Sequence, residues 1–157
     1  MMGKKIFTFV LLLFLSTCGY EAKYSVKNRI NYNFSISELS LTGDRQVNLK
    51  IKQKLRNYTN PKNKKNKIFV LKVLSESEKI ITAKNASGDA TKFKSEITIN
   101  VQVFMKEKRK LTFVITENFI YDNNSNTFEL RAYENQIKNN LAGTAVEKII
   151  SELSNVI

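Results

Sequence analysis

The chain has no histidine, no tryptophan, one cysteine and one proline among its 157 residues. Each absence removes a class of chemistry. Without histidine there is neither the commonest general base nor the usual zinc ligand. A lone cysteine, Cys18, allows no intramolecular disulfide and no thiolate metal centre. Only five glycines are present, and none falls in a Gly-x-Gly-x-x-Gly or phosphate-loop pattern. Acidic residues are sparse as well, 14 against 26 Lys and Arg. Glu76, Glu78, Glu96, Glu107 and Glu117 suggest nothing more specific than a solvated strand face. Catalysis is not expected, nor is a cofactor or a metal site.

What is present starts at the N-terminus. Lys4 and Lys5 precede an apolar run, Ile6 to Leu15, and small residues follow it. A ten-residue run is about half of what a spanning helix needs, so residues 1–17 read as a lipoprotein signal peptide rather than an anchor. Leu15-Ser16-Thr17-Cys18-Gly19 has the form of a lipobox. Diacylglycerol is placed on the Cys18 sulfur, cleavage follows on its N-terminal side, and an N-acyl chain caps the new amine. Small flanking residues let the peptidase approach a backbone that carries bulky chains, and Thr17 stands where Gly, Ala or Ser is usual. The plainer alternative is an ordinary signal peptide with an incidental cysteine. Cleavage leaves 140 residues, a suitable length for one domain.

The formal charge is +12, which favours phosphate-bearing partners. Lys, Asn and Ile together supply 54 of the 157 residues, the bias of an AT-rich genome, and that bias accounts for part of the basicity.

Residues 18–33 are polar and mixed, a lipidated tether to a single domain over 34–157. Phe34–Leu41 alternates apolar and polar with a slip near Glu38, which predicts a bulged strand. Thr42-Gly43-Asp44 offers a turn and an N-cap for a helix over Arg45–Tyr58, with Val47, Ile51, Leu55 and Tyr58 on one face. Asn60–Asn66 holds the proline and a basic cluster, hence an exposed loop. Ile68–Leu74 and Lys79–Lys84 form one long strand or two. Thr91–Lys106 is a clear half-buried strand, with Phe93, Ile97, Ile99, Val101, Val103 and Met105 on its dry side. Lys106–Lys110 is a hairpin turn into Leu111–Tyr121. Asn126 and Glu129 have capping-box spacing, and Leu130, Tyr133, Ile137, Leu141, Ala145, Ile149 and Leu153 trace one long helix. The order predicts an α+β two-layer sandwich, a mostly antiparallel four-stranded sheet with two helices on one face.

Two basic clusters are the candidate binding residues: Lys62, Lys64 and Lys65 (with Lys67) in the first loop, and Lys106, Lys108, Arg109 and Lys110 at the hairpin. Both fall at sheet ends. They suit phosphate or acidic glycan, or else act as solubilising loops that guard strand edges. Nucleic acid is not expected, because RNA binders display aromatics on the sheet face and here the aromatics alternate inward.

Cys18-Gly19-Tyr20, the tether and the order strand–helix–strands–helix resemble the LPS-assembly lipoprotein family, LptE. The closing helix is similar too, in Tyr133-Glu-Asn-Gln-Ile-Lys-Asn-Asn-Leu-Ala142, Ala145–Ile150 and the Ile149 to Leu153 ending. The departures are Thr17, Glu21-Ala22-Lys23-Tyr24 in place of a Pro-Leu-Tyr run, and the lysine richness. The resemblance implies an outer-membrane protein, lipid-anchored at the periplasmic face, that plugs and helps assemble an LptD-like β-barrel and binds lipopolysaccharide. Three acyl chains on Cys18 suffice for stable anchoring, and a polar sheet face suits a water-filled lumen. The rival expectations are a generic periplasm-facing lipoprotein binding a small ligand, glycan or partner protein, and an export-associated inhibitor or chaperone that pairs through an open sheet edge.

Overall fold

The computed structural model describes residues 34–59 and 65–156. The signal peptide, Cys18, the tether, Lys62 and Lys64 lie outside the described residues. Six elements follow in order: β1 (Phe34–Gly43), α1 (Arg45–Leu55), β2 (Lys67–Lys84), β3 (Ala90–Met105), β4 (Lys108–Asp122) and α2 (Thr127–Asn155). The four strands form one sheet in the order β1-β2-β3-β4. β2–β3 and β3–β4 are antiparallel hairpins. β1 and β2 are parallel, since α1 carries the chain back along the sheet before β2 begins. The fold is thus the expected α+β sandwich, mostly antiparallel, with both helices on one face.

Local chemistry sets the ends of the elements. Gly43 leaves β1 at φ +95°, and Asp44 then caps α1 by accepting from the Val47 N–H at 2.9 Å. Asn126 caps α2, its side chain accepting from the Phe128 and Glu129 N–H groups. The capping box is only half made, because Glu129 accepts instead from the Asn124 amide at 3.1 Å. α1 stops at Leu55, three residues short of the expected Tyr58. Tyr58 still reaches the interior by stacking on Phe34, ring centroids 5.0 Å apart. The bulge expected near Glu38 is present, between Ile36 and Glu38.

The run from 68 to 84 lies in one strand, Lys67–Lys84, of 18 residues. Its polar middle does not break it, because Ser75 is fully buried yet satisfied: its hydroxyl donates to Asn48 Oδ1 at 2.9 Å. Along β2 and β3, Phe69, Leu71, Val73, Ile97, Ile99, Val101 and Val103 turn toward the helices. Val47, Ile51 and Leu55 of α1, with Ile137, Leu141, Ala145, Ile149 and Leu153 of α2, close over them. Alternation of period two on the strands meets period 3.6 on the helices, and this dry layer is the hydrophobic core.

Two sequence expectations need correction. The aromatics do not all alternate inward: Phe104 lies on the outer face in register with Arg109, and Phe119, although on the helix side, is 47% exposed. Glu117 is not on a solvated face. It shares the helix-side phase with Ile115 and ion-pairs with Lys148 at 2.6 Å. Of the α2 stripe's first turns, Leu130 packs against the core while Tyr133 is 44% exposed, and the neighbouring Phe128, off the stripe, is 80% exposed.

Candidate functional site

Strand register decides which loops are neighbours. Phe34 pairs with Lys67, Val70 with Phe104 and Met105 with Lys108. The start of β1, the start of β2 and the β3–β4 hairpin therefore share one end of the sheet. Lys65, Lys106, Lys108, Arg109 and Lys110 fall at that end, together with Phe34, where the chain arrives from the residues before the domain. The sequence pointed to sheet ends; the register makes them the same end. Lys67 is used otherwise: its ammonium donates to the Val156 carbonyl at the end of α2, where a cation meets the negative end of the helix dipole.

The hairpin carries backbone strain. Lys106 and Glu107 have φ of 50° and 63°, the type I′ geometry that matches the twist of a two-residue hairpin and for which Asn-Gly is preferred. Side chains with a Cβ cost of the order of 1 kcal/mol each in such conformations. One residue later the register slips: Val103 faces Leu111 while Phe104 faces Arg109. Lys110 is thus the extra residue of a bulge, and the strand turns locally around it.

Two cations meet one ring on the outer face. The Arg109 guanidinium lies 5.8 Å and the Lys72 ammonium 5.3 Å from the Phe104 ring centre, which places both in cation–π range. Neither Lys106, Lys108, Arg109 nor Lys110 forms an ion pair among the described residues. An arginine fork with lysines around it can take phosphate or carboxylate oxygens by charge-assisted hydrogen bonds. Lys72 and Phe104 are absent from the sequence-derived candidates. The signal for them existed, since Phe104 keeps the phase of Thr98, Asn100 and Gln102.

Away from that end the sheet is organised differently. The Asp44 carboxylate accepts from Ser77 Oγ at 2.6 Å and from Lys138 Nζ at 3.1 Å, so one side chain ties α1, β2 and α2. Burial on its own raises the Asp44 pKa. Hydrogen bonds from Ser77, the Val47 N–H and Lys138, with the charge of Lys138, outweigh it and hold the carboxyl below its ordinary value. Beyond it, Tyr121 donates to Glu134 at 2.9 Å, which also pairs with Lys79 at 2.6 Å. Burial, then the carboxylate of Glu134, pushes the Tyr121 phenol well above its ordinary value, so it remains a donor. These groups are satisfied from within and hold the layers together. An open groove of about 710 Å³ runs between the end of β4 and the start of α2, lined among others by Phe119, Leu130 and Tyr133. Among the described residues no cluster of His, Cys, Asp or Glu could hold a metal, and no helix is long and apolar enough to cross a membrane.

Known proteins supply a comparison for this arrangement. The LptE family, described as lipopolysaccharide-assembly, matches over residues 22–153. No curated protein matches the sequence. Among solved structures, rare lipoprotein B from Shewanella oneidensis superposes with a TM-score of 0.57 at 18% identity, covering 74% of this chain and 93% of its own. A minor lipoprotein from Acinetobacter baumannii gives 0.53 at 16%, covering 77% and 92%. An uncharacterized lipoprotein B from Nitrosomonas europaea gives 0.52 at 14%, covering 77% and 83%. At these identities the structures share the fold alone, whereas the family match spans most of the sequence: the chain belongs to the LptE lipopolysaccharide-assembly family.

Proposed function

We propose that this chain is an outer-membrane lipoprotein, anchored through acyl chains on Cys18 at the periplasmic face, which plugs and helps assemble an LptD-like β-barrel and binds lipopolysaccharide in transit. It works by binding, without turnover. The observation that carries the ligand reading is the meeting of Lys65 with the Lys106–Lys110 hairpin at one end of the sheet, beside the Arg109–Phe104–Lys72 stack. Phosphates of lipid A are the complementary groups, and a bidentate arginine contact gives them orientation as well as attraction. The barrel reading draws support from the outer sheet face, where Thr98, Asn100, Gln102, Thr112, Thr116 and Asn118 form a polar layer compatible with a wet lumen.

Both parts are testable. Lys106→Glu combined with Arg109→Glu is expected to weaken lipopolysaccharide binding about tenfold or more, since two charge-assisted contacts become repulsive. Unchanged binding returns the hairpin to the role of a solubilising loop. Crosslinking in intact membranes is expected to capture a large β-barrel; failure to do so favours a generic envelope lipoprotein.

A further inference from the structure

The two edges of this sheet differ in how they are closed. β1 is bulged between Ile36 and Glu38, and the Ile36 N–H is taken by the Tyr58 carbonyl at 2.8 Å. Bulges and capped groups of this kind protect an edge. At β4 the only such device is the Lys110 bulge beside the hairpin. From Leu111 to Asp122 the strand keeps unbroken register with β3, contains neither proline nor glycine, and is the last strand of the sheet. Its outward backbone groups are a template for a further strand, and Val114, Phe119 and Ile120 on it are 57%, 47% and 55% exposed.

The charges on β4 say what such a strand should be. Lys108, Arg109 and Lys110 stand at its start and Asp122 at its end, exposed and sharing its charge with Lys92 of β3 at 3.3 Å; Glu117 is held by Lys148 on the helix side, and Thr112 to Thr116 carry no charge. A sequence basic at one end and acidic at the other is complementary to itself when reversed. We propose that the β4 edge pairs antiparallel with the β4 edge of a second copy of this chain, giving a continuous eight-stranded sheet about a two-fold axis. Facing residues must lie on the same side of the sheet, so the regular segment can be centred on Thr116 or on Glu117; the second sets Glu117 against itself, and charge therefore selects Thr116. Lys110 comes opposite Asp122 of the other copy, twice. On the helix side Phe113 faces Phe119 and Leu111 faces Tyr121, aromatic and apolar cross-strand pairs of the favourable kind.

The helix beside the edge is compatible with the same symmetry. Lys148, Ser151 and Glu152 of α2 line a shallow depression against Phe113–Thr116. Lys148 and Glu152, one turn apart, form an opposite-charge pattern that a two-fold axis can match to itself, as isologous contacts require. This proposal does not rest on the lipopolysaccharide reading.

Sedimentation velocity on the purified full chain in detergent, over a range of concentrations, tests it. The wild type is expected to show a concentration-dependent dimer. Lys110→Asp alone, or Asp122→Lys alone, sets like charges opposite each other twice and raises the dimer Kd about tenfold. A mixture of the two variants restores opposite charges at both positions and is expected to form a heterodimer of wild-type strength. Thr116→Lys places two lysines at the axis and abolishes the dimer, while its circular dichroism and thermal midpoint stay those of the wild type. A wild type that remains monomeric throughout, single variants that dimerise normally, or a mixture no stronger than its components would each overturn the proposal.

Discussion

Gly43 and Gly88 allow a backbone effect to be separated from a steric one. Both have positive φ, 95° and 89°, so an alanine at either bears the same left-handed penalty, about 1 kcal/mol or a little more. Their surroundings differ. A Cβ at Gly88 meets nothing within 4 Å, whereas one at Gly43 would lie 1.9 Å from the Ser75 carbonyl oxygen and 2.9 Å from its carbon. Both are backbone atoms and cannot swing aside. Relief requires β1 and β2 to part by about 1 Å where the Asp44 N–H donates to the same Ser75 carbonyl at 2.8 Å. Losing that bond in a half-buried site costs a further ~1–3 kcal/mol. We therefore expect Gly43→Ala to destabilise by about 2–4 kcal/mol and Gly88→Ala by about 1 kcal/mol. At about 3–5 °C per kcal/mol for a domain of this size, the first change lowers the unfolding midpoint by roughly 6–20 °C. Thermal and urea unfolding followed by far-UV circular dichroism read both numbers. Equal losses in the two variants, or less than about 1 kcal/mol at Gly43, would refute the account of the β1–α1 corner.

The remaining predictions concern the hairpin and the Asp44 junction. Replacing Lys106-Glu107 by Asn-Gly removes the positive-φ strain and is expected to raise stability by about 1–2 kcal/mol, read as a higher urea midpoint; a lower midpoint would mean that the turn is not type I′. The Asp44 carboxyl titrates below its ordinary 3.8 when folded, so its stabilisation is complete above about pH 4 and disappears as pH falls through the folded value. In urea titrations between neutral pH and pH 3, Asp44→Asn should accordingly lose less stability on acidification than the wild type, and parallel curves would contradict the assignment.

How much of this was legible in the sequence varied with the kind of interaction. Alternation over Phe93–Met105 and the spacing Val47–Ile51–Leu55 announced their elements because one face of each meets only apolar neighbours. The glycine–aspartate corner was readable as a turn and a cap, since those residues act on their own backbone. What stayed hidden was anything decided between elements. The parallel pairing of β1 with β2, the shared end of the two basic clusters and the diversion of Lys67 to Val156 depend on register, which no local pattern specifies. Phe104 shows the limit most clearly. Its phase on β3 placed it outside, but only the bulge at Lys110 sets Arg109 across from it.

The long closing helix also sets a schedule for folding. Ile97, Ile99, Val101 and Val103 are covered by a layer that includes Ile149 and Leu153, and these belong to the last of the six elements, 29 residues long. A chain delivered N-terminus first must hold that sheet face uncovered until its final segment arrives. At 5–20 residues per second of synthesis the interval is roughly 1.5–6 s, far longer than the microseconds in which a hairpin forms. The sheet therefore exists for seconds with α1 as its only cover and the rest of its greasy side bare. Any factor that shields exposed apolar surface during delivery acts on this protein in that window, and loss of the last turns of α2 would make the exposure permanent.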